Sequence, residues 1–225
     1  VAIIERKLVG GTCVNTGCMP TKALVASAYA AHLARRGADY GVTIGGEISI
    51  DMKRVKQRSH QVTLNARNNN ETWLRGMERC TFIEGHARLE SSNTVRVGDQ
   101  TITAPKIFLN VGGRAAIPDF PGIDEVPYLT NTSIVMLEHV PEHLVVVGGS
   151  YIGLEFAQIF RRFGAEVTVV EKGPRLVSRE DEDVSDAVRK ILEAEGITVR
   201  TGAECIRFRA HENGVAVGVN CTEGE

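Results

Sequence analysis

Two hundred and twenty-five residues, set against about 100 to 200 residues per domain, admit one large domain or two modest ones. With 26 Lys and Arg against 28 Asp and Glu, the formal charge of −2 offers no polyanion-binding surface, which excludes nucleic acid as a partner class. Apolar residues at 43% and charged residues at 24% describe a globular chain with a real core, and no run approaches the roughly 20 apolar residues of a membrane helix.

The start, VAIIERKLVGG, is neither a signal nor a transit peptide, so the expected location is the cytoplasm with no membrane contact. The chain opens on a strand-type run without a lead-in and stops without a closing element, the pattern of a segment of a longer polypeptide. Residues 1–5 read as a short buried strand ending on Glu5, with Gly10 and Gly11 turning the chain after it. Residues 21–36 are Ala-rich and stopped by Gly37, which predicts a buried helix with Pro20 at its start, where a missing amide hydrogen costs nothing.

A long polar stretch over 51–79 is loosely helical with Asp51 as N-cap. Small strands follow over 81–109, with turn signals at 91–93 and 98–99. Residues 107–111 run into Gly112 and Gly113, and the Pro-rich AIPDFPGI is read as a connector that divides the chain into domains 1–116 and 117–225. Beyond it the alternation is regular: strand 143–147, glycine turn, helix 151–163, strand 166–171, helix 184–195, strand 198–201, then strands to 219. Strands alternating with such helices predict a parallel sheet with crossover helices, an α/β nucleotide-binding fold.

Chemistry concentrates in two strings. In GGTCVNTGCMPTK, Cys13 and Cys18 are separated by four residues. A helix starting at Pro20, and the nearby Lys22, would favour a thiolate at Cys18. Spacing alone fits equally well two small buried side chains. In VVVGGSYIGLEFAQIFRRFGAEVTVVE an apolar strand, a glycine turn, a helix, a second strand and a terminal acid form a dinucleotide fingerprint. Gly148 and Gly153 take the first and last glycine places and Ser150 the middle one, a departure that hinders close backbone approach without blocking it. Glu171, 23 residues after Gly148, stands where an acid binds the ribose of NAD and repels a 2′-phosphate, so NAD is expected, with NADP the alternative given Lys172 and Arg175 close behind.

The 13-residue string from Gly10 to Lys22 resembles the redox-disulfide segment of the flavin-dependent pyridine nucleotide-disulfide oxidoreductases, a group that includes mercuric reductase and lipoamide dehydrogenase. The resemblance covers essentially the whole chain and implies two Rossmann-like nucleotide-binding domains of the three-layer ββα type, the first partial. It implies Cys13 as the interchange thiol, Cys18 as the flavin-facing thiolate and Lys22 beside the flavin. Glu5 would bind the adenosine ribose of FAD, Gly10, Gly11 and Thr12 its phosphates and ribityl chain, and Gly112 in FLNVGGRAAIPDFPGI would approach the same cofactor. Glu155 would pair with Lys22, Tyr151 would lid the nicotinamide pocket, and Ile152 would line the dinucleotide turn.

The implied mechanism passes reducing equivalents from NAD(P)H through FAD to the Cys13–Cys18 disulfide, and on to a disulfide or dithiol substrate or to Hg(II). Val14, Asn15, Met19 and Thr21 resemble the mercuric reductase branch, with lipoamide dehydrogenase as the alternative. By the same resemblance a first glycine fingerprint is expected before residue 1 and an interface domain after residue 225, the intact protein being a homodimer and this chain alone inactive. A non-catalytic NAD- or flavin-binding module is the reading from another class. No metal-ligand spacing joins the six histidines. Cys80, Cys205 and Cys221 are expected as buried free thiols and Trp73 as a core or interface residue.

Overall fold

The structure, a computed structural model, describes residues 1–212 and 214–219. These form two compact units, one of Val1–Ala23 with Gln57–Ala115, the other of Leu24–Lys56 with Ala116–Glu225. The intervening segment 24–56 thus groups with the C-terminal half rather than with its sequence neighbours.

The first unit begins with β1 (Ala2–Glu5), followed by the short helix α1 (Gly11–Asn15) and the first turns of α2 (Cys18–Arg35). It resumes at Gln57 within α3 (Met52–Arg75), whose start, in the other unit, is fixed by Asp51: the Arg54 amide donates to Asp51 Oδ1 at 3.0 Å, the N-cap expected from sequence. β2 (Thr81–Glu84) pairs in parallel with β1, Ala2 opposite Thr81 and Glu5 opposite Glu84. β3 (Ala87–Leu89), β4 (Thr94–Val97) and β5 (Gln100–Thr103) then make an antiparallel sheet in chain order. Val95 and Val97 turn inward from β4, and their alternation with exposed Arg96 is the period of a half-buried strand.

Residues 104–109 depart from the strand expected there. Residues 107–111 join no ladder among the described residues, and Phe108 is 84% and Val111 89% exposed. A run of β-formers pairs only where a neighbouring strand offers its edge.

The second unit carries the regular alternation. β6 (His143–Val147), β7 (Glu166–Val170) and β8 (Thr198–Arg200) form a parallel sheet in the order β6-β7-β8, joined by α4 (Tyr151–Phe163) and α5 (Glu182–Ala194). β9 (Ile206–His211) and β10 (Gly214–Val219) pair with each other as a separate antiparallel hairpin. Val167 and Val169 on β7 and Ala157 and Phe160 on α4 lose all solvent contact, placing the core between the central strand and that helix. Gly164 ends α4 at φ +114, with its amide on the carbonyls of Phe160 and Arg161, the left-handed cap that glycine adopts without a Cβ penalty. Asp181 precedes α5, and Glu182 and Asp183 fill its first turn, where the helix dipole favours negative charge.

An ion pair ties this unit's helices together. Arg162 on α4 grips Glu195 through Nε at 2.8 Å and Nη2 at 2.6 Å, and Gln158 Nε2 adds a third donor at 2.9 Å. Burial pushes the Glu195 carboxyl upward, but the Arg162 hydrogen bonds and charge, with help from His32 and Gln158, outweigh it and hold the group below the usual carboxylate range. A depressed folded pKa stabilises the fold above the unfolded carboxylate pKa, and that contribution is lost as pH falls through the folded value. Glu195→Gln therefore costs about 1–3 kcal/mol at pH 7, and its gap from the parent in urea denaturation closes toward pH 3; a gap independent of pH contradicts the ion-pair origin.

Trp73 is 64% exposed and so is no core residue of this chain. Cys80 is a half-buried free thiol rather than a buried one, and Cys205 is disulfide-bonded, not free. Cys221 lies outside the described residues. Among the described residues no helix is long and apolar enough to cross a membrane.

Candidate functional site

In the first unit the two thiols are joined. Cys13 and Cys18 form a disulfide with their Cα atoms 4.6 Å apart. Gly10 makes the preceding turn possible: at φ +93, an added Cβ would lie 2.5 Å from Val14 Cγ2. The chain then coils through α1, which carries Gly11, Thr12 and Cys13, and restarts at once as α2 with Cys18 as its first residue. The helix begins three residues before the expected start, its first bond running from the Thr21 amide to the Gly17 carbonyl at 3.0 Å. Pro20 still sits in the first turn, where its missing N–H leaves no bond unmade. Cys18 therefore occupies the positive end of an 18-residue helix, the position that stabilises a thiolate once the disulfide opens. Lys22 is exposed one turn further along α2.

Asn15 holds α1 in place. Its Nδ2 donates to the carbonyls of Val9 at 3.0 Å and Gly11 at 2.8 Å, while its Oδ1 accepts from Arg67 Nε on α3 at 2.7 Å. Arg58 and Ser59 of α3 donate to the carbonyls of Ala23 and Pro20. Sequence reasoning used Asn15 only to compare branches and missed Arg67, which lies 52 residues away with no motif around it.

Two further candidates fall in the same unit. Glu5 ends β1 and turns one carboxylate oxygen back to the Lys7 amide at 2.8 Å. Gly112, at φ +73, comes close enough to Thr12 that an added Cβ would stand 4.0 Å from Thr12 Oγ1. An acid ending a strand and a bare glycine backbone beside the Thr12 turn fit the ribose and phosphate portions of a dinucleotide such as FAD.

In the second unit the glycine turn between β6 and α4 is built for close approach. Gly148 sits at φ +116 and donates its amide to the Val170 carbonyl at 2.8 Å. At Gly149 a Cβ would meet Leu176 Cδ2 at 2.6 Å and Glu171 Oε2 at 3.0 Å; at Gly153 it would meet the Gly148 carbonyl oxygen at 2.5 Å. Ser150 stands at φ −91, ψ 165 as N-cap, extended backbone that any residue adopts, which is why this glycine place tolerates a side chain. Tyr151 and Ile152 open α4, 72% and 45% exposed, and Glu155 lies half-buried one turn on.

Glu171 follows the end of β7, and both its oxygens are used: Oε2 accepts the Gly149 amide and Oε1 the Gly173 amide, each at 2.6 Å. The acid thus ties the glycine turn to the strand beside it. Gly149 was not singled out from sequence, although the Gly148–Gly149 doublet was its signal. The cradle is closed behind by Leu176 and Val177, whose amide donates to the Gly149 carbonyl at 2.8 Å. Free backbone at a helix N-terminus, with a carboxylate at the adjoining strand end, fits the pyrophosphate and ribose of NAD.

One unit thus carries the Cys13–Cys18 disulfide and the other a β-α-β unit with a glycine turn, both on an α/β fold. The family model for pyridine nucleotide-disulphide oxidoreductases matches residues 1–225, and the chain belongs to that family. It is 36% identical over 203 residues to a mercuric reductase of Bacillus cereus, covering 90% of this chain and 32% of the relative. To a dihydrolipoyl dehydrogenase of Acholeplasma laidlawii it is 30% identical over 216 residues, 94% of this chain and 64% of the other. The solved HOCl-induced flavoprotein disulfide reductase RclA of Escherichia coli, also determined as a Cu(II) complex, superposes with a TM-score of 0.83 at 34% identity, over 99% of this chain and 48% of RclA. The chain spans less than two thirds of the length of each of these relatives. The α/β fold with Rossmann-like nucleotide-binding units expected from sequence is the fold observed.

Proposed function

We propose that the chain forms the disulfide-bearing and nucleotide-binding part of an NADH-dependent flavoprotein oxidoreductase, with an FAD-binding portion over 1–116 and an NAD(P)-binding portion over 117–225. The observation that carries this reading is the Cys13–Cys18 disulfide with Cys18 at the first position of α2. Bound FAD would supply two-electron exchange between a reduced nicotinamide and that disulfide.

On the protein side, Glu5, Gly10, Gly11, Thr12 and Gly112 hold the flavin cofactor, and Gly148, Ser150, Ile152, Gly153 and Glu171 hold the nicotinamide dinucleotide under Tyr151. Once the disulfide opens, the dipole of α2 keeps the Cys18 sulfur anionic. Lys22, one turn along α2, orients the flavin side of the pair. Cys13 then acts as the exchanging thiol: its thiolate attacks a substrate disulfide, one sulfur leaves as thiolate, and Cys18 attacks the mixed disulfide, releasing the substrate as a dithiol and restoring Cys13–Cys18. With a metal ion such as Hg(II) as substrate, the two thiolates bind the ion and deliver two electrons to it as they close to the Cys13–Cys18 disulfide, the reduced metal leaving. The likeness to a mercuric reductase supports the metal-ion reading, and a dihydrolipoyl dehydrogenase activity is the second reading, supported by the likeness to that enzyme. The whole protein is a cytoplasmic homodimer in this proposal.

Glu171 sets the nucleotide preference, because its charge opposes a 2′-phosphate while its two amide bonds fix the turn. Glu171→Ala is expected to weaken NADH binding by roughly tenfold or more and to narrow the preference for NADH over NADPH, read by nicotinamide fluorescence titration. Equal binding of the two nucleotides by the parent protein contradicts the assignment. The reaction itself is tested by supplying the flavin-loaded protein with NADH and Hg(II), Cu(II), lipoamide or a small aromatic disulfide in turn; consumption of NADH with none of them refutes the proposal.

A further inference from the structure

A buried hydroxyl stands behind the redox segment with nothing to bond. Thr63 on α3 is 3% exposed, and its Oγ1 is without a hydrogen-bond partner among the described residues. An unpaired buried hydroxyl is destabilising, and a threonine within a helix ordinarily avoids that by bonding the carbonyl one turn back. Ser59, Thr63 and Arg67 recur four residues apart and so share one face of α3.

The two outer members of this column both hold the redox segment. Ser59 Oγ donates to the Pro20 carbonyl at 3.2 Å and Arg67 Nε donates to Asn15 Oδ1 at 2.7 Å. Thr63 lies between these grips, on the face turned to residues 15–20. That stretch is tightly wound while the disulfide is closed: a Cβ at Gly17 would stand 2.9 Å from the Thr12 carbonyl oxygen and 3.3 Å from Cys13 Cα.

We propose that Thr63 is a positioning residue that tunes the redox pair: its hydroxyl is unpaired while Cys13–Cys18 is closed and gains a hydrogen bond from the backbone of residues 15–20 when the pair is reduced. The inference rests on the reading of Cys13 and Cys18 as the redox pair. Reduction breaks the S–S bond, takes up two electrons and one proton, and leaves Cys13 as a thiol and Cys18 as a thiolate. The sulfurs then separate from a bond of about 2 Å to a contact of roughly 3.5 Å or more. With Asn15 and Pro20 held from α3, that displacement falls on the residues between them, opposite Thr63. A partner present only in the dithiol state favours reduction.

The test equilibrates the purified protein with mixtures of reduced and oxidised dithiothreitol, which closes to its cyclic disulfide as the protein pair opens. Alkylation and mass measurement then count the protein thiols. Thr63→Val, which removes the hydroxyl at nearly constant shape, is expected to shift the equilibrium about tenfold toward the disulfide, ~30 mV for a two-electron couple, with oxidised-state thermal stability equal to or above the parent's. Thr63→Ser, which keeps the hydroxyl, is expected to match the parent. An unchanged equilibrium in Thr63→Val, a shift toward the dithiol, or an equal shift in Thr63→Ser overturns the inference while leaving the redox pair standing. A parent pair that stays closed across the whole range of mixtures refutes the redox reading itself, and the inference with it.

Discussion

Cys18→Ser is expected to abolish disulfide-linked turnover, by about a thousandfold or more, because the two sulfurs act as one unit and the loss of either ends the exchange. The substitution removes the sulfur at the positive end of α2, the site where the helix stabilises charge. The long-wavelength absorbance of the two-electron-reduced, flavin-loaded protein should vanish with it. Folding should survive: a bridge across a sequence separation of 5 closes so small a loop that its loss removes about 2 kcal/mol. The checks are steady-state turnover, the absorbance spectrum and a thermal melt on the same sample. Retained turnover would mean that electrons do not pass through Cys18, whereas an unchanged spectrum with no turnover in either protein would make a non-catalytic binding module the better description.

Gly153→Val is expected to disable the dinucleotide turn and to destabilise the second unit. Even a Cβ at this position would stand 2.5 Å from the Gly148 carbonyl oxygen and 3.1 Å from Val146 Cγ1. The first of these is backbone and cannot rotate away, so α4 must move off β6, carrying Ser150 and the glycine turn with it. Overpacking of this kind costs about 1–3 kcal/mol, and NADH affinity should fall by tenfold or more as the amides at the head of α4 lose their aim. Gly164→Ala is the control. Gly164 sits at φ +114 with open space where its Cβ would be, so that change strains the cap of α4 without touching the turn. It should lower stability by about 1 kcal/mol and leave nucleotide binding intact; a matching loss of NADH binding in both variants would show that stability, not turn geometry, is responsible.

The parts of the molecule legible in its sequence are those where one local rule acts alone. Helix 151–163 is bounded by Ser150 and Gly164 and striped by Phe156, Ile159, Phe160 and Phe163, so its ends and its buried face follow from spacing. The strands beside it are runs of valine flanked by turns, and the parallel order follows from the helices between them. The cysteine string was legible through its resemblance to a family, not through spacing, since two thiols five positions apart also suit a plain interior. The sequence pattern starts α2 at Thr21, just after Pro20, whereas the whole first turn lacks amide partners and accepts proline at its third position.

Where distant segments decide the outcome, the sequence is silent. The Arg67–Asn15 bond, the grouping of residues 24–56 with the C-terminal half, and the bonded state of Cys205 depend on chain neighbours that no local pattern announces. The run over 107–111 shows the converse. Its residues favour a strand, yet they join no ladder among the described residues, because β-propensity measures fit to neighbours more than to the backbone.

The central claim is tested most directly by stepwise reduction of the flavin-loaded protein with dithionite under argon, with free thiols counted by alkylation at each step. If Cys13 and Cys18 are the redox pair, each chain takes up two two-electron equivalents, and new thiols appear at those positions as the first is consumed. Uptake of a single equivalent, with the Cys13–Cys18 bond still closed at full bleaching of the flavin, would contradict the account.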